Sequence, residues 1–274
     1  MTRMQKISTE VGPLAVRVHG EGRPAVLWHS LFVDERSWSR VEDALGVDRR
    51  LVVVTGPGHG ASGDPGRRYT TGECAAAAVT VLDALGIDEP VDWVGNAWGG
   101  HVGIVFATDT ASRCRTLVTL GTPVQALNRA EHARTLFLLA AYRTLGAAGF
   151  IRSGVTNVLL SAATRERDPQ AVALVEDCLV RADRAALRNA VVAISLHRPD
   201  LTERLSRVSV PTLFVTGSDH KGWTPEQARA ASLLLPDGSC AVVDGAAYLV
   251  PLEAPAETTD LVRRFWAAAV PRRT

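Results

Sequence analysis

Short apolar runs alternate with longer stretches whose apolar residues recur at helical spacing. Pro24-Ala25-Val26-Leu27-Trp28 reads as a buried strand ending at His29-Ser30, and Ser37 caps a helix running to about Leu45. Leu51 to Val54 is a second run, closed by the glycine-rich loop Gly56-Pro57-Gly58-His59-Gly60-Ala61-Ser62. Thr71 to Leu85 has helical period, Val91 to Val94 is a third strand, and Gly95-Asn96-Ala97-Trp98-Gly99-Gly100 turns into another helix. Arg115 to Leu120 is a fourth strand, ending in Gly121-Thr122-Pro123. From about Val124 to Asp200 the rhythm changes to an Ala-, Leu- and Arg-rich stretch of helical period with no strand signal. Alternation then resumes, with strands at Pro211 to Gly217 and Cys240 to Val243 and helices at Pro225 to Leu235 and Pro255 to Ala268. Strands alternating with helices predict an α/β fold with a mainly parallel central sheet flanked by helices. Residues 1–123 and 201–274 form the core in this reading, and 124–200 form a helical cap inserted in it. The alternative is that the inserted helices belong to the sheet's own layers.

Composition narrows the function classes. Apolar residues make up 46% of the 274-residue chain, enough for a large core. No window approaches the ~18 consecutive apolar residues of a membrane span. Thirty basic side chains against 29 acidic ones give a net charge of +1 with no basic stripe, so neither nucleic acid nor a membrane surface is expected as partner. The N-terminal stretch has no apolar signal region, and Cys74, Cys114, Cys178 and Cys240 lie far apart without metal-binding spacing. A cytoplasmic protein with reduced thiols, no metal and no cofactor is expected. The Ala, Arg and Val bias suggests a bacterial source of high GC content.

Five loops at strand ends carry a resemblance that covers essentially the whole chain. They are His29-Ser30-Leu31-Phe32, Gly58-His59-Gly60-Ala61-Ser62, Gly95-Asn96-Ala97-Trp98-Gly99, Gly217-Ser218-Asp219-His220, and Gly245 to Pro255 with Tyr248 and Glu253 inside it. In this order the chain resembles the α/β-hydrolase superfamily. The third loop stands where that family has its G-x-S-x-G nucleophile elbow. The resemblance implies the α/β-hydrolase fold and a Ser–acid–His triad, and the same positions here are emptied. Ala97 stands at the nucleophile, His220 at the acid and Tyr248 at the base. Alanine has no atom to attack with, and a phenol with a pKa near ~10 is a poor general base at neutral pH. Moving the acid to Asp219 restores one member only, and the alternative acid site reads Gly121-Thr122.

Backbone chemistry survives the loss of side chains. The resemblance puts the N–H groups of Leu31 and Trp98 at an oxyanion site, the latter at a helix N-terminus. It also implies a lining of Ser30, Phe32, Asn96, Ala97, Trp98, His220 and Tyr248, joined from the cap by Leu138, Tyr142 and Phe137. Arg134 and Arg143 either meet an anionic ligand group or are solvated surface arginines. His220, titrating near neutrality, either moves a proton with Tyr248 as donor or fills the slot as a hydrogen-bonded pair with it. His29, His59 and His101 read as structural, and Asn96 as a support for the turn.

Three functions follow. A pocket that stabilises an anion but cannot attack a carbonyl suits an isomerase or epimerase acting on a small molecule or a modified peptide, with substrate-assisted proton transfer. In its missing triad the chain resembles the aspartate epimerases of bottromycin biosynthesis. A non-catalytic binding protein on the same pocket is the second function. A serine ester or lactone hydrolase whose nucleophile has been replaced by Ala97, natively or by engineering, is the third.

Overall fold

A computed structural model describes residues 4–269. Eight strands form one sheet: β1 (Met4–Ile7), β2 (Leu14–His19), β3 (Arg23–Trp28), β4 (Arg49–Val54), β5 (Val91–Asn96), β6 (Cys114–Leu120), β7 (Thr212–Gly217) and β8 (Gly238–Val243). Their spatial order is β1-β2-β4-β3-β5-β6-β7-β8. β2 runs antiparallel to both its neighbours and all other pairings are parallel. The central strands are continuous apolar runs because helices cover both faces. The two N-terminal strands escape the sequence reading. β1 is an exposed four-residue edge, and β2 fades from buried to half-buried along its length.

The helices are α1 (Glu42–Leu45), α2 (Thr71–Ala84), α3 (Trp98–Asp109), α4 (Arg129–Leu145), α5 (Gly149–Leu159), α6 (Ala162–Arg167), α7 (Pro169–Arg181), α8 (Arg184–Ala190), α9 (Thr202–Leu205), α10 (Pro225–Ser232), α11 (Val250–Glu253) and α12 (Pro255–Ala268). The helix expected from Ser37 to Leu45 is two pieces. Asp34, not Ser37, caps a 3-10 turn over Glu35–Trp38, and α1 follows after a break. The Ser37 hydroxyl instead donates to the Asp34 carbonyl at 2.8 Å.

One face of the sheet packs Trp28, Trp93 and Phe106 with α2 and α3; the other packs Trp38, Leu45, Val262 and Trp266. Trp28 stacks on Trp93 at 6.0 Å and meets Trp98 edge-on at 5.7 Å. Residues between β6 and β7 form α4 to α9 and a π turn, Val191–Leu196, with no strand. Two arginines on the segment after β3 tie this insertion to the core. Arg36 pairs with Asp34 (2.8 Å) and Asp177 (2.6 Å), while Arg40 pairs with Asp168 and donates to the Leu252 carbonyl at 2.9 Å. Asn189 adds a bond to Asp64 at 2.9 Å, and the Leu249 N–H donates to Leu159 O at 3.3 Å. The insertion therefore lies against the loops at the C-terminal strand ends, where open α/β sheets bind ligands. No described helix is long and apolar enough to cross a membrane.

Candidate active site

The turn from β5 into α3 is held in a conformation that alanine disfavours. Ala97 has φ +46° and ψ −101°, and a non-glycine residue held there costs about 1–3 kcal/mol. Its surroundings over-determine it. A Cβ on Gly99 would run into the Trp28 carbonyl, and one on Gly95 into the Gly99 backbone, so neither position accepts a side chain. The Ala97 N–H donates to Leu120 O at 2.8 Å, the Gly99 N–H to His29 O at 3.2 Å, and Trp93 Nε1 to Gly99 O at 2.9 Å. Asn96 is fully buried and its Nδ2 bridges Leu120 O (2.8 Å) and Tyr248 O (2.9 Å), joining three strand ends.

The first N–H groups of a helix have no partner within it. In α3, Gly99, Gly100 and His101 find carbonyls, and the Trp98 N–H finds none among the described residues. The Leu31 N–H is likewise unbonded. These are the two backbone donors that the resemblance implies. Their side chains behave differently from the expectation. The Trp98 indole is buried against Trp28, His29 and His59, at ring distances of 5.7, 5.5 and 5.2 Å, so Trp98 offers a ligand its N–H and not its ring. Ser30 is buried too, with its hydroxyl turned onto Leu31 O at 3.4 Å.

Burial sets the histidine chemistry. His29 accepts from the Gly56 N–H at Nε2 (2.8 Å), so its Nδ1 carries the proton and donates to Ser30 O (2.7 Å). His101 Nε2 contacts Pro123 O at 2.8 Å. Desolvation lowers His29 and pushes His59 and His101 down to about 3. His220 corrects the expectation of titration near neutrality, because desolvation lowers it to about 4 and leaves it neutral at pH 7. Its Nδ1 accepts from the Gly222 N–H at 3.1 Å, which puts the proton on Nε2, a buried atom with no partner. Nor is it hydrogen-bonded to Tyr248. The two rings stack with centroids 3.9 Å apart and 35° between planes. Burial raises the Tyr248 phenol, opposed by the nearby Arg198 charge. Asp219 is exposed, its carboxylate near the Ser218 hydroxyl at 3.4 Å.

Within the insertion and against Phe32 (φ +70°), Leu138 and Tyr142 meet Leu139, Ile151 and Val191 around a void of about 10 Å³, the room of roughly one water. Leu138 and Tyr142 line this void. Phe137 does not, being 73% exposed, and Arg134 and Arg143 are exposed on α4. A helix read from sequence alone has no fixed rotation, and Leu139 faces inward in place of Phe137. Arg198, in the loop that leaves the insertion, is half-buried. Its Nε is buried without a partner. Nothing in the stretch His197-Arg198-Pro199-Asp200 distinguishes it from an ordinary solvated charge.

An eight-stranded sheet of this order, with a strained strand–turn–helix elbow at the end of β5, defines the α/β-hydrolase fold. The alpha/beta hydrolase family model matches residues 18–261, and the chain belongs to that family. A 2-hydroxy-6-oxo-2,4-heptadienoate hydrolase of Pseudomonas putida is 33% identical over 111 residues, 40% of this chain and 37% of its own length. The chain thus spans little more than a third of that relative. A 2-hydroxy-6-oxononadienedioate/2-hydroxy-6-oxononatrienedioate hydrolase of Cupriavidus pinatubonensis is 28% identical over 75% of this chain and 70% of its own. Among solved structures, an esterase from Thermogutta terrifontis superposes with a TM-score of 0.90 at 23% identity, covering 97% of this chain and 99% of that one. The enol-lactonase of Burkholderia xenovorans LB400 gives 0.87 at 23%, covering 96% and 100%. At that identity they establish the fold.

Proposed function

We propose that this protein is a non-hydrolytic member of the family that lacks a catalytic triad. In this reading it isomerises or epimerises a small molecule or modified peptide by stabilising a substrate anion. The observation that carries the reading is the elbow itself. Ala97 is held at φ +46° with the Trp98 and Leu31 N–H groups unbonded, so the donor geometry persists where no nucleophilic atom stands. Two amide donors, that of Trp98 at a helix start, favour an enolate-like oxygen, and removing one such donor costs roughly 10²–10³ in rate in hydrolases. His220, neutral and stacked, and Tyr248, with its phenol raised, supply no strong base. The base is therefore the substrate's own carboxylate, as the resemblance to the aspartate epimerases of bottromycin biosynthesis implies. Residues 124–200 act as the cap, and Ser30, Phe32, Asn96, Leu138 and Tyr142 shape the pocket beneath it. The setting is cytoplasmic.

The test is deuterium uptake in D₂O at the acidic carbon of a peptide whose aspartate precedes a thiazoline, read by mass spectrometry. Uptake with inversion is expected. His220→Ala and Tyr248→Phe should fall well short of the roughly 10²–10⁴ loss that removing a protein acid–base group causes. Loss of all exchange in His220→Ala with binding intact overturns the substrate-base mechanism.

A second reading is favoured by the strain at Ala97 together with the hydrolase names of the relatives. In it the chain is an ester or lactone hydrolase whose nucleophile is replaced. Ester turnover by Ala97→Ser is its signature. Binding without any chemistry in either protein marks a non-catalytic binding protein.

A further inference from the structure

We infer that a cavity at the N-terminal edge of the sheet, remote from the elbow, is a binding site for a small phosphate monoester. Its volume is about 380 Å³, within the roughly 300–1,000 Å³ of small-molecule sites. The turn before β3 (Gly22, Arg23), the start of β4 (Asp48, Arg49) and the end of α12 (Arg263, Trp266) line it. The six residues of β3 put about 17 Å between this cavity and the strand ends that carry the elbow. Local backbone geometry builds the site. Gly22 has φ +104°, and a Cβ there would stand 2.7 Å from the Asp48 carbonyl, so the turn closes directly on the start of β4. Arg23 and Arg49 are register partners on parallel strands, which puts their side chains on one face. It is the face on which Ala25 and Leu51 meet Val262 and Trp266.

Arg49 is the fixed point of the site. It is 7% exposed, its Nε donates to Asp92 at 3.0 Å and its Nη1 to Asp48 O at 3.0 Å, and its guanidinium lies 4.6 Å over the Trp266 ring. A donor held in this way loses little side-chain entropy when a ligand arrives. Arg23 and Arg263 have no carboxylate within ion-pair distance among the described residues, and Arg263 reaches only the Ala44 carbonyl, at 3.3 Å. Asp48 is paired with Arg49 at 3.2 Å, and Asp92 behind it is shared with Arg115. Three arginines against one aspartate leave the wall with a surplus of two positive charges, and Arg23 and Arg49 repel as like charges on neighbouring strands. A phosphate monoester brings close to two negative charges and three acceptor oxygens at neutral pH. Guanidinium forks match those oxygens in pairs. The cavity has room for roughly a dozen waters at about 30 Å³ each, more than one phosphate fills, so the ligand has an organic body as well.

The probes are phenyl phosphate, methyl phenyl phosphate and inorganic phosphate. Methyl phenyl phosphate keeps the ring but carries one negative charge, and inorganic phosphate keeps the charge but has no ring. Calorimetry on the full chain should show phenyl phosphate binding roughly tenfold tighter than either. Arg23→Gln and Arg263→Gln each remove one exposed charge and should weaken phenyl phosphate about two- to fivefold, and the double variant about tenfold. In case a variant fails to fold, ¹⁵N-labelled wild-type protein locates the ligand. Phenyl phosphate should shift the Gly22 and Ala267 amide resonances and leave that of Trp98 in place. Absence of saturable binding, equal affinity for phenyl phosphate and its methyl ester, undiminished affinity in the double variant, or shifts confined to the elbow overturns the assignment. Inorganic phosphate bound as tightly as phenyl phosphate marks a site for the free ion and overturns the ester.

Discussion

Replacing Asn96 with alanine should loosen the whole site, and the size of the effect follows from the bonds it removes. Asn96 is fully buried, and its Nδ2 donates to Leu120 O and Tyr248 O. After the substitution Leu120 O keeps the Ala97 N–H at 2.8 Å and the Thr122 hydroxyl at 3.2 Å, so little is lost there. Tyr248 O has no other donor among the described residues and is left bare at the edge of the core. One lost bond costs about 1 kcal/mol and one orphaned carbonyl about 1–3, so the sum is roughly 2–4 kcal/mol. For a chain of this size that is a fall in Tm of about 3–7 °C. Differential scanning calorimetry on wild type and Asn96→Ala reads it directly. The two carbonyls belong to the loops on either side of the elbow, so ligand binding should weaken with stability. A loss under about 1 kcal/mol refutes the reasoning, because it shows that Asn96 does not join the elbow to the Tyr248 loop.

Acid should destabilise the protein through its buried histidines. His220, His59 and His101 titrate far below 6.5 in the folded chain, whereas the unfolded chain takes up protons near 6.5. The stabilisation is therefore complete above about pH 6.5 and is lost as pH falls toward 4. Between pH 7.5 and 5.0, urea denaturation of His220→Gln should lose about 2 kcal/mol less than wild type, and an identical pH response contradicts the assignment. Arg36→Ala with Arg40→Ala should free the insertion. The pairs are partly exposed and worth up to about 1 kcal/mol each, so amide exchange in α7 should quicken roughly tenfold while the central strands stay protected. Uniform acceleration would mean that these arginines hold the whole fold instead. Leu138→Trp adds more volume than the void of about 10 Å³ holds, so overpacking should cost about 1–3 kcal/mol in urea denaturation, and unchanged stability means that this seam is not packed as described.

Much of the parallel sheet was legible because a strand buried on both faces is a continuous apolar run, as Leu51 to Val54 and Pro211 to Gly217 are. The elbow was legible for a different reason. Gly95 and Gly99 admit no side chain in that turn, so their spacing records backbone geometry whatever residue stands between them. β1 was hidden because an exposed edge of four residues has no burial to write into its sequence. The charge state of His220 was hidden because desolvation depends on the neighbours that the loop of Tyr248 brings to it. Rotation about the axis of α4 decided between Phe137 and Leu139, and helical period alone does not set that angle.

The central claim is that the elbow keeps its donors but has no nucleophile at work. A fluorophosphonate probe, with p-nitrophenyl butyrate hydrolysis alongside it, tests this most directly on wild type and on Ala97→Ser. Wild type should remain unlabelled and should not exceed the buffer blank, since Ala97 offers no attacking atom. Ala97→Ser should stay nearly silent as well, because Tyr248 and a neutral, stacked His220 leave the new hydroxyl without a base. Stoichiometric labelling of the wild-type elbow region, or clear turnover of the ester by the unmodified protein, would contradict the account.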